Sequence, residues 1–268
     1  MPANLTVNLS DDPSLNRHLD AAVRLTVKES TKFFSAGPPV GALPIKVFLQ
    51  PEGSHPITRI TTDPNVYQIG LNLEVYKRPY AQLIFQLGHE LCHVFADPRS
   101  TNWFVESCCE MMSQVILRRM SEAWKKVRIQ GPYVEKRLDE IKIKKYAENR
   151  IREASMKTFQ IESLPDLVRL REWFISIKGS LQQNPCDRQR NVIIAEMLRP
   201  LFEESRDNWD ALCFLGKASA SPPVNLTDLD TNSNFEFNKW MDAAPDQLKD
   251  LIRRIRNMFQ NEAHTNSR

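Results

Sequence analysis

The segment Tyr80-Ala81-Gln82-Leu83-Ile84-Phe85-Gln86-Leu87-Gly88-His89-Glu90-Leu91-Cys92-His93-Val94 carries both a fold signal and a chemical one. On a wheel of about 100° per residue, Tyr80, Ile84, Leu87, Leu91 and Val94 form one apolar stripe. Gln82, Gln86, His89 and His93 fall on roughly the opposite side. The pattern predicts a helix that packs its stripe into a core and turns its histidines toward a polar cleft. Within it, His89-Glu90-Leu91-Cys92-His93 matches HExxH. Histidines four apart share a helix face, so both imidazoles can meet one zinc ion, and Glu90 beside them can reach a water at that ion. One zinc ion per chain is therefore expected.

A zinc ion that works on substrates takes three protein ligands and leaves a fourth position open. His18, His55 and His264 have no ligand-like spacing. The next helical segment, opening Asn102-Trp103-Phe104-Val105-Glu106-Ser107-Cys108-Cys109-Glu110, offers two carboxylates one turn apart, Glu106 and Glu110. Trp103, Phe104, Met111 and Met112 crowd around them, and carboxylates in apolar surroundings need a cationic or metal partner. Cys92 falls away from the bisector of the two histidines and reads as a core residue. Cys109, three residues after Glu106, is an alternative sulfur ligand.

Upstream, Asp12-Pro13 marks a helix start, and Leu15, Leu19, Ala22, Val23, Val27 and Phe34 continue it at helical spacing to Gly37-Pro38-Pro39. Three β-rich runs follow, Ile45–Leu49, Ile57–Thr61 and Val66–Leu71, the last two joined by Asp63-Pro64-Asn65 as a hairpin. From Tyr80 onward the pattern is helical: Tyr80–Phe95, Thr101–Val127, Tyr133–Phe159, Asp166–Ile177, Arg188–Phe202 and Pro245–Phe259, with Lys217–Asn234 as a polar linker. The fold class is α+β. An N-terminal helix and a small sheet, built between residues 44 and 72, back the HExxH helix, and the C-terminal half is mostly α-helical.

Composition argues against several classes. With 41% hydrophobic and 26% charged residues the chain is that of an ordinary globular protein, and a net charge of +3 is too small for a dedicated nucleic-acid binder. The cationic residues between 118 and 152 are interleaved with acidic ones, as on a solvated helix face. No run approaches the ~20 apolar residues of a membrane span. The N-terminus lacks the basic start and apolar run of a secretory signal, and five cysteines show no disulfide framework. A cytoplasmic location, with neither membrane nor nucleic acid as partner, is the expectation.

His89–His93, a short breaker and a helix bearing Glu106 and Glu110 together resemble the gluzincin metallopeptidases, the clan of thermolysin and the membrane alanyl aminopeptidases. The Trp103-Phe104-Val105-Glu106-Ser107 run is similar to the Trp-Leu-x-Glu-Gly segment of aminopeptidase-type members. The twelve residues between His93 and Glu106 are fewer than in most well-known members, and Ser107 stands where glycine is usual. The resemblance implies that Glu106 is the third zinc ligand, beside His89 and His93, and that Glu110 bonds the His89 imidazole, fixing its tautomer. It implies a zincin-like metallopeptidase core over residues 1–132, with 133–268 as an α-helical C-terminal region packed beside or onto it. It also implies that a peptide lies along the sheet edge at Val66–Leu71, and that a tyrosine or histidine stabilises the oxyanion, with Tyr133 and Tyr146 as candidates that the sequence does not choose between.

The expected activity is zinc-dependent hydrolysis of a peptide or protein substrate, with Glu90 as general base. Two other classes compete. A non-catalytic regulatory or scaffold protein could hold the same metal, although a structural site has no use for Glu90. A nucleic-acid binder would rest on the basic 118–152 region and show a steep salt dependence.

Overall fold

A computed structural model describes residues 4–62, 65–73, 79–126, 136–161, 163–219 and 234–260. In chain order the elements are β1 (Leu5–Asn8), α1 (Pro13–Thr31), β2 (Ile45–Leu49), β3 (Ile57–Thr62), β4 (Asn65–Leu71), α2 (Pro79–Ala96) and α3 (Trp103–Trp124). They continue with α4 (Lys136–Phe159), α5 (Leu167–Gln183), α6 (Arg188–Glu203), a 3₁₀ segment (Arg206–Ala218), α7 (Phe237–Ala243) and α8 (Asp246–Phe259). The class is α+β, as the sequence predicts.

Local chemistry explains where the helices begin. Asp12 caps α1 by accepting from the backbone N–H groups of Ser14 at 2.8 Å and Leu15 at 3.3 Å, with Pro13 in the first turn. Leu15, Leu19, Ala22, Val23 and Val27 then form its buried face. Phe34, read as part of that helix, lies beyond its end but is buried and stacks on Phe95 at a centroid distance of 3.8 Å. Asn102 caps α3 through Phe104 and Val105, both at 3.0 Å. That cap fixes where the helix starts, and hence where Glu106 sits.

The sheet order is β1-β2-β4-β3, with β1, β2 and β4 parallel and β3 antiparallel to β4. The β3–β4 hairpin matches the sequence expectation, although residues 63 and 64 of its turn are outside the described residues. One expectation is corrected. Val66–Leu71 is not the sheet edge: β4 is hydrogen-bonded on both sides, and the edge strands are β1 and β3. The physical reason is a parallel pairing of β4 with β2, which consumes the side the hairpin leaves open. Strand β1 was not expected at all. Its four residues, Leu-Thr-Val-Asn, are too short for a periodicity to register.

Helix α2 lies between the sheet and the other helices, touching β3, β4, α1, α3, α4 and the 3₁₀ segment. Its apolar stripe is buried, and among its described side chains only Gln82, Gln86, His89 and His93 keep partial exposure. These four share the face that the wheel assigns them. α3 packs against α2 at Gly88, where an added Cβ would stand 3.2 Å from the Ser113 Cα. Buried side chains from Leu9 to Phe259 form one continuous cluster, so residues on either side of position 132 share a core. Among the described residues, no helix is long and apolar enough to cross a membrane.

Candidate metal centre

The close approach of α2 and α3 brings together residues that the sequence places on separate helices. The His89 Nε2 lies 3.3 Å from one carboxylate oxygen of Glu106, and the His93 Nε2 lies 3.4 Å from the other. Glu106 thus bridges two imidazoles whose ring centroids are 5.1 Å apart. Thr101, one residue before the α3 cap, donates its hydroxyl to Glu106 Oε1 at 2.7 Å and holds the carboxylate in place. The cluster is recessed: the side chains of His89, His93 and Glu106 keep 19%, 12% and 11% of their surface.

Electrostatics follow from that geometry. Burial alone would lower the His93 pKa, but the charge and hydrogen bond of Glu106, helped by Glu90, outweigh it and raise the value to about 9. Burial pushes Glu106 the other way, and the two histidines overcome it, holding its carboxyl well below the usual range. The metal-free cluster is therefore an ion pair at neutral pH.

Cysteine adds a second donor type. One ligand atom each from His89, His93 and Cys109 lie within 4.8 Å of one another. Cys109 is fully buried and hydrogen-bonded to Cys92, and burial, reinforced by that bond, drives its pKa well up. The convergent group that could hold a metal among the described residues is thus His89, His93 and Cys109, while Glu106 meets both histidines as an ion-pair partner. Imidazole nitrogens with either a thiol or a carboxylate are donor types compatible with a borderline-soft ion such as zinc.

Glu90 is 4% exposed, and its carboxylate meets the sheet. The Thr58 hydroxyl, on edge strand β3, donates to Glu90 Oε2 at 2.8 Å and lies 3.2 Å from the Glu90 carbonyl. The edge strand and the HExxH helix are thereby joined through the residue expected to act as base.

Comparison of the chain with known proteins is silent. No protein-family model, no curated protein and no solved structure matches it. The site must be read from its own atoms.

Glu110 departs from the role that the resemblance implies. Its carboxylate receives the Arg150 guanidinium, with three contacts between 3.0 and 3.2 Å, instead of serving as the partner of His89. The reason is burial: Glu110 keeps 3% of its side-chain surface, and a carboxylate so placed takes the nearest full charge. Arg150 also lies over the Phe85 ring, 4.2 Å from its centroid. Tyr146, one turn earlier on α4, packs on the same Phe85 at 5.5 Å, one turn of α2 before His89. Tyr133, the other tyrosine considered for the oxyanion, lies outside the described residues, as does His264.

Thr58, Thr101 and Arg150 escaped the sequence reading. Thr101 could have been found, since it immediately precedes a helix cap and stands five residues before Glu106. Ser107 also finds a purpose, its hydroxyl donating to the Trp103 carbonyl at 2.8 Å and meeting Asn191 of α6 at 3.2 Å. Cys186, exposed in the approach to α6, has its pKa raised to about 11 by partial burial and by the charges of Glu106 and Glu90.

Proposed function

We propose that this protein is a zinc-dependent metallopeptidase with a zincin-like core, in which His89, His93 and Glu106 hold one zinc ion and Glu90 is the general base. The observation that carries the reading is the convergence of both histidine Nε2 atoms on the two oxygens of Glu106, across the α2–α3 contact. When bound, zinc would polarise a scissile carbonyl and make a neighbouring water more acidic. The chain's own residues supply the rest. Glu90 takes a proton from the attacking water and returns it to the leaving amine. Thr58 fixes the direction of that carboxylate by its 2.8 Å bond. Strand β3, at the sheet edge, presents backbone donors and acceptors to which an extended peptide can add, and that mode of binding tolerates many sequences. Thr101 keeps Glu106 aimed at the histidines.

One observation favours a second reading. Cys109 stands close enough to both histidines to serve as a fourth protein donor. A site closed by four side chains has no open position, and the protein would then be a zinc-binding scaffold or regulator. Paired variants separate the two. In the peptidase, Cys109→Ser keeps its zinc, and Glu90→Gln keeps its zinc but loses hydrolysis of a peptide library. In the scaffold, Cys109→Ser loses zinc while Glu90→Gln changes nothing. Zinc content by elemental analysis, beside chelator-controlled peptide assays, decides the matter.

A further inference from the structure

A second concave site lies away from the candidate metal centre. The C-terminal ends of α1, α3 and α6 meet the start of the 3₁₀ segment around a cleft of about 620 Å³. Along α3 it begins at Val115, roughly 14 Å from Glu106 at the rise of a helix. The size suits a small ligand.

Its charge is unbalanced. Lys32, Arg118, Arg119, Lys126 and Arg206 line it, against Glu29, Glu122 and Glu203. Each carboxylate already has a cation. Glu29 pairs with Lys32 at 2.6 Å, while Glu122 and Glu203 pair with Lys125 and Arg199, which do not line the cleft, at 2.8 and 2.7 Å. Arg118 is held by Glu196 at 3.3 Å. Among the described residues, Arg119, Lys126 and Arg206 form no ion pair within 4 Å, although Glu29 and Glu203 lie near enough for their charge to act on Arg119.

Arg119 is also fixed in direction. Its guanidinium carbon lies 3.8 Å from the centroid of the buried Phe33 ring, which is braced by Trp209 at 4.4 Å. Burial lowers the Arg119 pKa, Glu29 and Glu203 oppose that, Arg206 adds to it, and the net shift is downward. Arg119 is thus fixed by its ring, and Arg206, which lines the same cleft, is near enough for its charge to act on it. A planar fork stacked on a ring has lost its rotamer freedom before any ligand arrives, and such forks match the oxygen spacing of phosphate.

We propose that this cleft binds a small phosphate-class polyanion, a free pyrophosphate or a phosphorylated metabolite, with Arg119 and Arg206 as bidentate donors and Lys126 as a supporting charge. The site is independent of the metallopeptidase reading. Calorimetric titration with inorganic pyrophosphate tests it, because pyrophosphate carries the shared chemistry and no organic part. Wild-type protein should bind, and binding should weaken with added salt. Arg119→Gln and Arg206→Gln should each weaken binding about tenfold or more, as expected for a lost charge-assisted contact. Arg206 is exposed, so its variant leaves the fold intact even if Arg119→Gln disturbs the Phe33 packing. Arg169→Gln, on α5, should bind as wild type does, which excludes a general charge effect. His93→Ala should also bind normally, which excludes attachment of pyrophosphate to a metal. Absence of binding at millimolar pyrophosphate, indifference to Arg206→Gln, or loss of binding in His93→Ala would each overturn the proposal.

Discussion

At the residue scale, the histidine pair and its glutamates divide into those that sequence can place and those it cannot. His89, Glu90 and His93 are legible because one helix fixes their spacing. Glu106 and Glu110 are legible as candidates only, since a one-turn spacing cannot say which carboxylate faces the histidines. The decision belongs to Arg150, forty residues downstream of Glu110, and no local pattern announces it. That contact changes what Glu110→Gln should do. It leaves a largely buried guanidinium without its charge partner, so the variant should unfold more easily by about 3 kcal/mol in denaturant titration. A pure loss of zinc affinity with unchanged stability would show that Glu110 acts on the histidines after all. Glu90→Gln, in contrast, should fold and hold zinc as wild type does, while peptide hydrolysis falls by about 10²- to 10⁴-fold. The His93–Glu106 pair makes a third prediction. A metal ion must displace the proton that His93 retains up to about pH 9, so measured zinc affinity should climb by about tenfold per pH unit through neutral pH and level off near 9. In the metal-free protein the raised pKa stabilises the fold fully below the unfolded histidine value of about 6.5. That contribution fades as pH rises through about 9, so apo-protein thermal midpoints should decline across the same window. A flat affinity profile would place the proton elsewhere.

At the element scale, the helices were readable and their fine contacts were not. Asp12 and the apolar stripes of α1 and α2 carry enough periodicity to be found by pattern alone. The 3₁₀ segment Arg206–Ala218 and the seven-residue α7 were missed, since a three-residue repeat and a two-turn helix give the 3.6 period too little to act on. Both matter to the site's surroundings. The 3₁₀ segment packs on α2, and at Gly216 it passes so close that an added Cβ would stand 2.4 Å from the Cβ of Asp97 and 3.1 Å from the Ala96 carbonyl. Asp97 is itself constrained, at φ 78° and pinned to Arg99 by a 2.6 Å contact. Gly216→Ala should therefore cost about 1 to 3 kcal/mol, the usual range for overpacking, and loosen the α2–α3 connection. The same logic gives Gly88→Val a selective effect. Its side chain would press on the α3 backbone and part the two helices, so zinc affinity should fall by more than stability does. Parallel zinc titrations and thermal melts of the two glycine variants would show whether the α2–α3 distance sets the site.

At the scale of the whole molecule, the α+β class and the hairpin were legible, while the strand order was not. Pairing of β2 with β4 joins segments that no turn connects, and this parallel pairing within a mixed sheet makes the anticipated edge strand an interior one. The single cluster that runs from Leu9 to Phe259 is likewise a product of tertiary packing, and no composition change along the chain marks it.

That strand order also constrains the sequence of events by which the chain reaches its native state. The β3–β4 hairpin and the α2–α3 pair close short loops and can form as soon as their residues meet. β1 must wait, because its parallel partner Ile45–Leu49 lies beyond the whole of α1, and long loop closures are slow. Pulse-labelled hydrogen exchange during refolding should find amides of α2 and α3 protected before those of Leu5–Asn8. A chain emerging from the ribosome would then hold its first strand unpaired while β2 and the hairpin are made, and the strand that meets Glu90 would be in place when the histidines arrive.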